Sequence, residues 1–317
     1  MFSIENKNEN GFLKTILRDL NSKTYAAILP SCGAILRSFS VAGNKGPVNV
    51  IDSYETREEF IKNAESKGFL GSKLSPFVCR LHHGEYHFGE NKYKLQSYYM
   101  GKHAIHGLLY KKEFKITGQT ANNAHASVTM KYEYRSEDKG YPFNYDCIVT
   151  WQLENDNRLS VITECVNKDA GLIPMQDGWH PYFNLGDPID ELQFEFQSKE
   201  MVEFNSELIP TQNLIPYSEF SSIKTIGNTL FDNCFTLNME AIQPLCVLRN
   251  PIKKIELEIY PGKSYPYLQI FIPPHRKSIA IENLSGAPDA FNNEMGFITL
   301  EPGESALYET TYRLKFL

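Results

Sequence analysis

A chain of 317 residues is long enough for one large domain with a real hydrophobic core. Its formal net charge of -6 argues against an electrostatic nucleic-acid surface, and 42% hydrophobic with 22% charged residues is the balance of a soluble globular protein. No run approaches the roughly 18 consecutive apolar residues of a membrane helix, so no membrane contact is expected.

The chain opens with a polar stretch, Met1 to Asn10, that lacks the apolar heart of a signal peptide. A cytoplasmic location is therefore expected. One helix is predicted after it. Asp52 or Ser53 can cap it, Tyr54, Phe60, Ile61 and Ala64 share a face, and Gly68 ends it. Beyond that point period-two alternation dominates. Val128, Met130, Tyr132 and Tyr134 alternate with Thr129, Lys131, Glu133 and Arg135. Tyr145 to Leu153 and Leu159 to Cys165 follow the same rule, joined by an Asn155-Asp156-Asn157 hairpin signal. Leu192 to Phe196, Ile255 to Ile259 and Tyr308 to Phe316 continue it. Aromatic residues, at 13%, also favour strands. With no repeat, linker or composition break, residues 1–317 are read as one all-β domain, a large sandwich of two antiparallel sheets.

Six cysteines are scattered without a Cys-x-x-Cys pair and read as reduced thiols. His83 and His87 would share a face on a strand, a spacing that can hold a metal. No further cysteine or carboxylate cluster supports them, so surface histidines are expected and no metal. There is no phosphate loop and no dinucleotide fingerprint.

The densest chemistry lies in Asp177-Gly178-Trp179-His180-Pro181-Tyr182-Phe183-Asn184-Leu185-Gly186. Aromatics supply flat apolar walls, the imidazole and amide supply hydrogen bonds, and Pro181 fixes the backbone. Such a surface suits a sugar, with its apolar C–H faces and rim of hydroxyls. His180 can hold or release a proton near neutral pH, where the plainer alternative is a satisfied histidine packed among aromatics. Glu282 ends an apolar strand, Ile279 to Leu284, just before Ser285-Gly286-Ala287-Pro288-Asp289-Ala290. A carboxylate there can serve as a general base, or can mark an exposed strand end.

The run His180-Pro181-Tyr182-Phe183-Asn184-Leu185 resembles the hallmark of the aldose 1-epimerase (galactose mutarotase) family. Further matches follow the family's order. Arg80 matches the arginine of the family's Asn-Arg pair, with Gly84 and Gly89 in the strand after it, His106-Gly107 matches a sugar-binding His-Gly pair, and Asp232 lies in an Asp-x-x-Phe segment. Gln269 sits in a Leu-Gln-apolar-aromatic strand, and Glu282 precedes Pro288-Asp289-Ala290. Leu29 to Ala34 resembles the opening strand and glycine turn, and Pro302-Gly303, flanked by Glu301 and Glu304, a structural turn. Cys79 departs from the pattern, standing where the family carries asparagine.

The resemblance implies a β-supersandwich and an isomerase that interconverts the α and β anomers of a free aldose. His180 is then the acid and Glu282 the base, and Arg80, His106, Asp232 and Gln269 bind the sugar. Ordinary pKa values would allow the two protonation states together near neutral pH. No cofactor is implied, the partner is a small-molecule sugar, and the oligomeric state is left open. The alternatives are a hexose-6-phosphate 1-epimerase, for which Lys102, Arg276 and Lys277 are candidate cations, and a non-catalytic carbohydrate-binding protein on the same fold. A glycosidase is disfavoured because it needs two flanking carboxylates.

Overall fold

The computed structural model describes every residue except Lys45. Two large antiparallel sheets face each other. The first runs in the order Lys115–Ala121, His125–Arg135, Asn144–Glu154, Arg158–Asn167, Ser305–Phe316, Ile255–Pro261, Cys246–Asn250, Gln193–Phe196 and Lys224–Thr225. The alternation seen in the sequence is the cause of its two-sidedness. Tyr145, Cys147, Val149, Trp151 and Leu153 are buried, while Ile148, Thr150 and Gln152 between them are half-exposed. Asp156 and Asn157 turn the hairpin with φ of 59° and 55°, a region these short polar side chains tolerate.

The second sheet runs Pro210–Pro216, Ser198–Phe204, Asp232–Leu237, Tyr267–Phe271, Ile279–Leu284, Gly178–His180 and Ser72–Leu74. Tyr182–Phe183 continues the pairing with Ile279–Leu284 beyond Pro181 and also pairs with Ile51–Asp52. The two sheets meet through Trp151 and Trp179 (ring centroids 5.5 Å apart), Phe183 and Tyr312 (5.6 Å) and Tyr265 and Tyr308 (5.5 Å). Each buried aromatic or aliphatic side chain there contributes about 1.5–3 kcal/mol. The fold is an antiparallel β-sandwich, as the sequence pattern predicts. A five-stranded N-terminal sheet, from Phe2–Glu9 to Gly46–Asn49, adjoins it.

The helix spans Arg57–Asn63 and is capped by Thr56, not by Asp52 or Ser53. The Thr56 hydroxyl accepts the Glu59 N–H at 3.1 Å, and the Glu59 carboxylate reaches back to the Glu55 N–H at 2.6 Å. That reciprocal box explains the later start. Asp52 is instead consumed by a strand pair with Tyr182, and Ile61 faces solvent. All six cysteines are buried free thiols.

One charged pair lies inside the sandwich. Lys73 and Asp177 are both fully buried, with Nζ 2.5 Å from Oδ1. The ammonium also points at the Gly178 carbonyl (3.3 Å) and the Thr163 hydroxyl (3.4 Å), and lies 4.5 Å from the centre of the Trp179 ring. Asp177 further accepts from the Tyr265 hydroxyl at 2.6 Å and the Cys165 thiol at 3.7 Å. Asp177 and Trp179 share the core face of their strand, which leaves His180 on the opposite face.

Candidate active site

Register alone brings the two central groups together. Gly178 pairs with Leu284, and Tyr182 pairs with Ala280 in the same frame. His180 therefore stands opposite Glu282, with Pro181 interrupting the ladder between them. Their Nε2 and Oε1 atoms are 3.3 Å apart. On the other side Glu282 pairs with Gln269, and Gln269 with Cys234. Asp232 pairs with Phe271 one step along the same face, and its Oδ1 accepts from Gln269 Nε2 at 3.2 Å.

A second wall comes from the pair of short strands Arg80–Leu81 and His103–Ile105, in which Arg80 pairs with Ile105. His106 follows at once, with φ of 60°, and its N–H donates to the Cys79 carbonyl at 2.9 Å. Gly107 is required next. Its φ is 72°, and a Cβ there would lie 2.3 Å from the Ser75 carbonyl oxygen. The close approach holds the His106 ring edge-on to His180, with centroids 4.9 Å apart, and against Phe69 at 4.5 Å.

All six residues singled out in the sequence, Arg80, His106, His180, Asp232, Gln269 and Glu282, line one recess of about 170 Å³. Phe69, Tyr182 and Phe271 supply its flat apolar walls, and Met100, Phe204 and Leu208 stand at its mouth. Four buried polar atoms of this recess have no partner among the described residues: His106 Nδ1, His180 Nδ1, Gln269 Oε1 and Glu282 Oε2. Buried polar atoms are normally paired, so their convergence calls for a ligand rich in hydrogen-bonding groups.

Burial changes the electrostatics expected from ordinary pKa values. It pushes His180 down to about 3. It pushes Glu282 well up, with the Asp232 charge adding to the rise. Burial, then the charges of His180 and Arg80, hold His106 well below the imidazole range. Burial raises Asp232, while Arg80 and then Gln269 pull it back. Burial thus disfavours the charged form of both His180 and Glu282. At 3.3 Å the two are placed to pass one proton between them.

The other candidates lie elsewhere. Lys102 is tied to Glu207, with His103 Nε2 3.5 Å from the same carboxylate. Arg276 is held by Asp190 and by the carbonyls of Gly227 (2.7 Å) and Thr229 (3.2 Å). Neither these nor Lys277 lines the recess. His83 sits in a turn with φ of 52° while His87 is on a strand, so the shared face required for a metal does not form. Glu301 and Glu304 are exposed. The mouth residues Met100, Phe204 and Leu208 were not legible. They are single apolar side chains at strand ends and turns, where no pattern marks them.

The family model described as aldose 1-epimerase matches residues 17–313. An aldose 1-epimerase of Streptococcus thermophilus is 24% identical, over 97% of this chain and 96% of that protein. The uncharacterized protein YihR of Escherichia coli strain K12 is 25% identical, over 74% of this chain and 76% of its own length. The crystal structure of a galactose mutarotase-like protein from Clostridium acetobutylicum superposes with a TM-score of 0.87 at 17% identity, covering 100% of this chain and 99% of the other.

Proposed function

The chain belongs to the aldose 1-epimerase family, and from that premise we propose that it interconverts the α and β anomers of a free aldose by acid–base ring opening and reclosure. The observation that carries this reading is the 3.3 Å approach of His180 Nε2 to Glu282 Oε1 inside a recess lined by unpartnered polar atoms. Ring opening removes a proton from the C1 hydroxyl and delivers one to the ring oxygen. Both oxygens are bonded to C1, so the groups that serve them must themselves be neighbours.

Shifting a proton from Glu282 to His180 arms the pair. Glu282 then takes the proton of the C1 hydroxyl while His180 protonates the ring oxygen and the C1–O5 bond breaks. The products are the open-chain aldehyde, a neutral imidazole and a neutral carboxyl, the protonation state that burial favours. Rotation about C1–C2 presents the other face of the aldehyde. Reclosure returns each proton by the reverse route. Arg80, His106, Asp232 and Gln269 hold the hydroxyls and keep the reacting atoms aligned. The chemistry calls for no metal or organic cofactor.

A phosphorylated sugar is less well served. Among the described residues Arg80 is the one lysine or arginine lining the recess, and the Asp232 carboxylate offsets it. The test is polarimetry of freshly dissolved α-D-glucose and α-D-galactose, with His180→Asn and Glu282→Gln as controls. Acceleration that both substitutions abolish supports the reading. No acceleration with wild-type protein and either sugar rejects it in favour of a binding role.

A further inference from the structure

A working histidine usually has its ring plane set by a hydrogen bond from the nitrogen that does no chemistry. His180 has no such bond. Its Nδ1 is buried with no partner among the described residues, and only Nε2 approaches a polar group, Glu282 Oε1 at 3.3 Å. That single contact leaves the ring free to turn about its bond to Cβ. What meets the ring instead is aromatic. Tyr182 lies two residues further along the chain, and the strand period of two puts both side chains on the recess face. The phenol ring stacks on the imidazole, with centroids 5.1 Å apart and planes 16° from parallel. His106 meets the same imidazole edge-on, at 87°. One ring parallel and one at right angles leave the imidazole a single plane to occupy.

Tyr182 is itself tied down. Its hydroxyl donates to the Gly68 carbonyl at 2.9 Å. Glycine is required there, because its φ is 80° and a Cβ would lie 2.7 Å from that hydroxyl. Gly68 closes the turn that follows the helix, with its N–H donating to the Glu65 carbonyl at 3.0 Å. The residues after it grip the histidines in turn. The Phe69 ring packs on His106 at 4.5 Å, the Gly71 N–H donates to the His180 carbonyl at 2.8 Å, and Ser72 pairs with His180 in the sheet. The backbone of His180 and the ring stacked on its side chain are thus anchored to the same short segment.

We propose that Tyr182 is a positioning residue for His180: its hydroxyl, held by the Gly68 carbonyl, keeps the imidazole in the plane that aims Nε2 at Glu282. The proposal rests on the ring-opening reading of the recess, so it is tested with turnover and without it. Tyr182→Phe deletes one oxygen atom and leaves the aromatic wall of the recess in place. In polarimetry its kcat should fall about tenfold or more while KM stays within about twofold of wild type. A rise in KM at unchanged kcat would make Tyr182 a wall for the sugar and nothing more, and would overturn the proposal, as would no change in either constant. NMR of protein carrying isotope-labelled histidine reads the tether without any reaction. The carbon-bound ring protons of His180, assigned by their loss in His180→Asn, should lie upfield in wild type because of the stacked phenol, and should move downfield in Tyr182→Phe. Signals that do not move overturn the positioning role, whatever polarimetry shows. Signals that move in a protein whose wild type accelerates mutarotation of neither glucose nor galactose keep the tether and overturn the ring-opening reading instead.

Discussion

Replacing Lys73 by methionine removes an ammonium group from the interior while leaving most of its apolar stem. Asp177 then keeps the Tyr265 hydroxyl and the Cys165 thiol but has no counter-charge. In the native pair burial pulls the Asp177 pKa upward from 3.8 and Lys73 opposes it. Without Lys73 the carboxyl's cheapest course is to take a proton. At pH 7 that costs at most ~4.4 kcal/mol, from 1.36 kcal/mol per pH unit above the unfolded value. The figure agrees with the roughly 3–5 kcal/mol typical of breaking a buried pair. The sign follows from a folded pKa raised above the unfolded one. The variant's stability is intact below the unfolded pKa and is lost as pH rises toward the folded value. Denaturant unfolding at several pH values is the assay. The deficit against wild type should approach 4 kcal/mol at pH 7 and shrink to about 1 kcal/mol near pH 4.5. A deficit that does not change with pH would refute the reasoning and make the loss one of packing. The double variant Lys73→Met/Asp177→Leu should recover most of it, because the buried charge is gone and what Asp177 leaves orphaned is the Tyr265 hydroxyl, at ~1–3 kcal/mol, and the weakly donating Cys165 thiol.

The acid–base pair makes its own demands. His180→Asn and Glu282→Gln should each lower kcat by about 10²–10⁴-fold in polarimetry while the unfolding midpoint stays close to wild type. Because His180 is pushed down to about 3 and Glu282 is pushed up, neither group titrates at its ordinary value. The kcat/KM profile should therefore have its acid limb far below pH 6.5, and a break at the ordinary imidazole value would contradict these shifts. Gly107→Ala, which forces a Cβ against the Ser75 backbone, should destabilise the protein by at least ~1–3 kcal/mol and raise KM through His106. A thiol reagent should label none of the six cysteines in the native protein within minutes and all six in denaturant, read by absorbance. Rapid labelling of a thiol other than Cys79, which itself lines the recess, would show that the wall containing it opens.

Strands with one buried face announced themselves, because a period of two survives in any sheet that has a core side. His180 and Glu282 were visible for a related reason. A polar residue inside an apolar strand is costly, and it stands out against its neighbours. Their 3.3 Å approach was hidden, since it depends on the pairing frame of two strands a hundred residues apart in sequence. Lys73 was hidden too. Its partner Asp177 lies 104 residues away, and a lysine beside a serine-proline turn looks like surface. The helix began later than expected because Glu59, three residues beyond Thr56, decides the cap. Cys79 shows a departure with a second meaning. Its φ is 48°, a conformation that asparagine adopts more readily than cysteine, so asparagine at this position serves the backbone as well as any ligand.

The strand carrying His180 has, in effect, a reading frame. Trp179 faces the core against Trp151, and His180 faces the recess. Losing a single residue upstream would swap them, planting an indole among the polar groups of the recess and an imidazole in the sandwich. Lineages of this fold can therefore change these strands by exchanging residues but not by changing their length. Length can drift in the turn around Leu208, which lines the recess and lies outside any strand pair. The facing of His180 and Glu282 is thus locked by geometry, while an unpaired loop beside them is free to diversify.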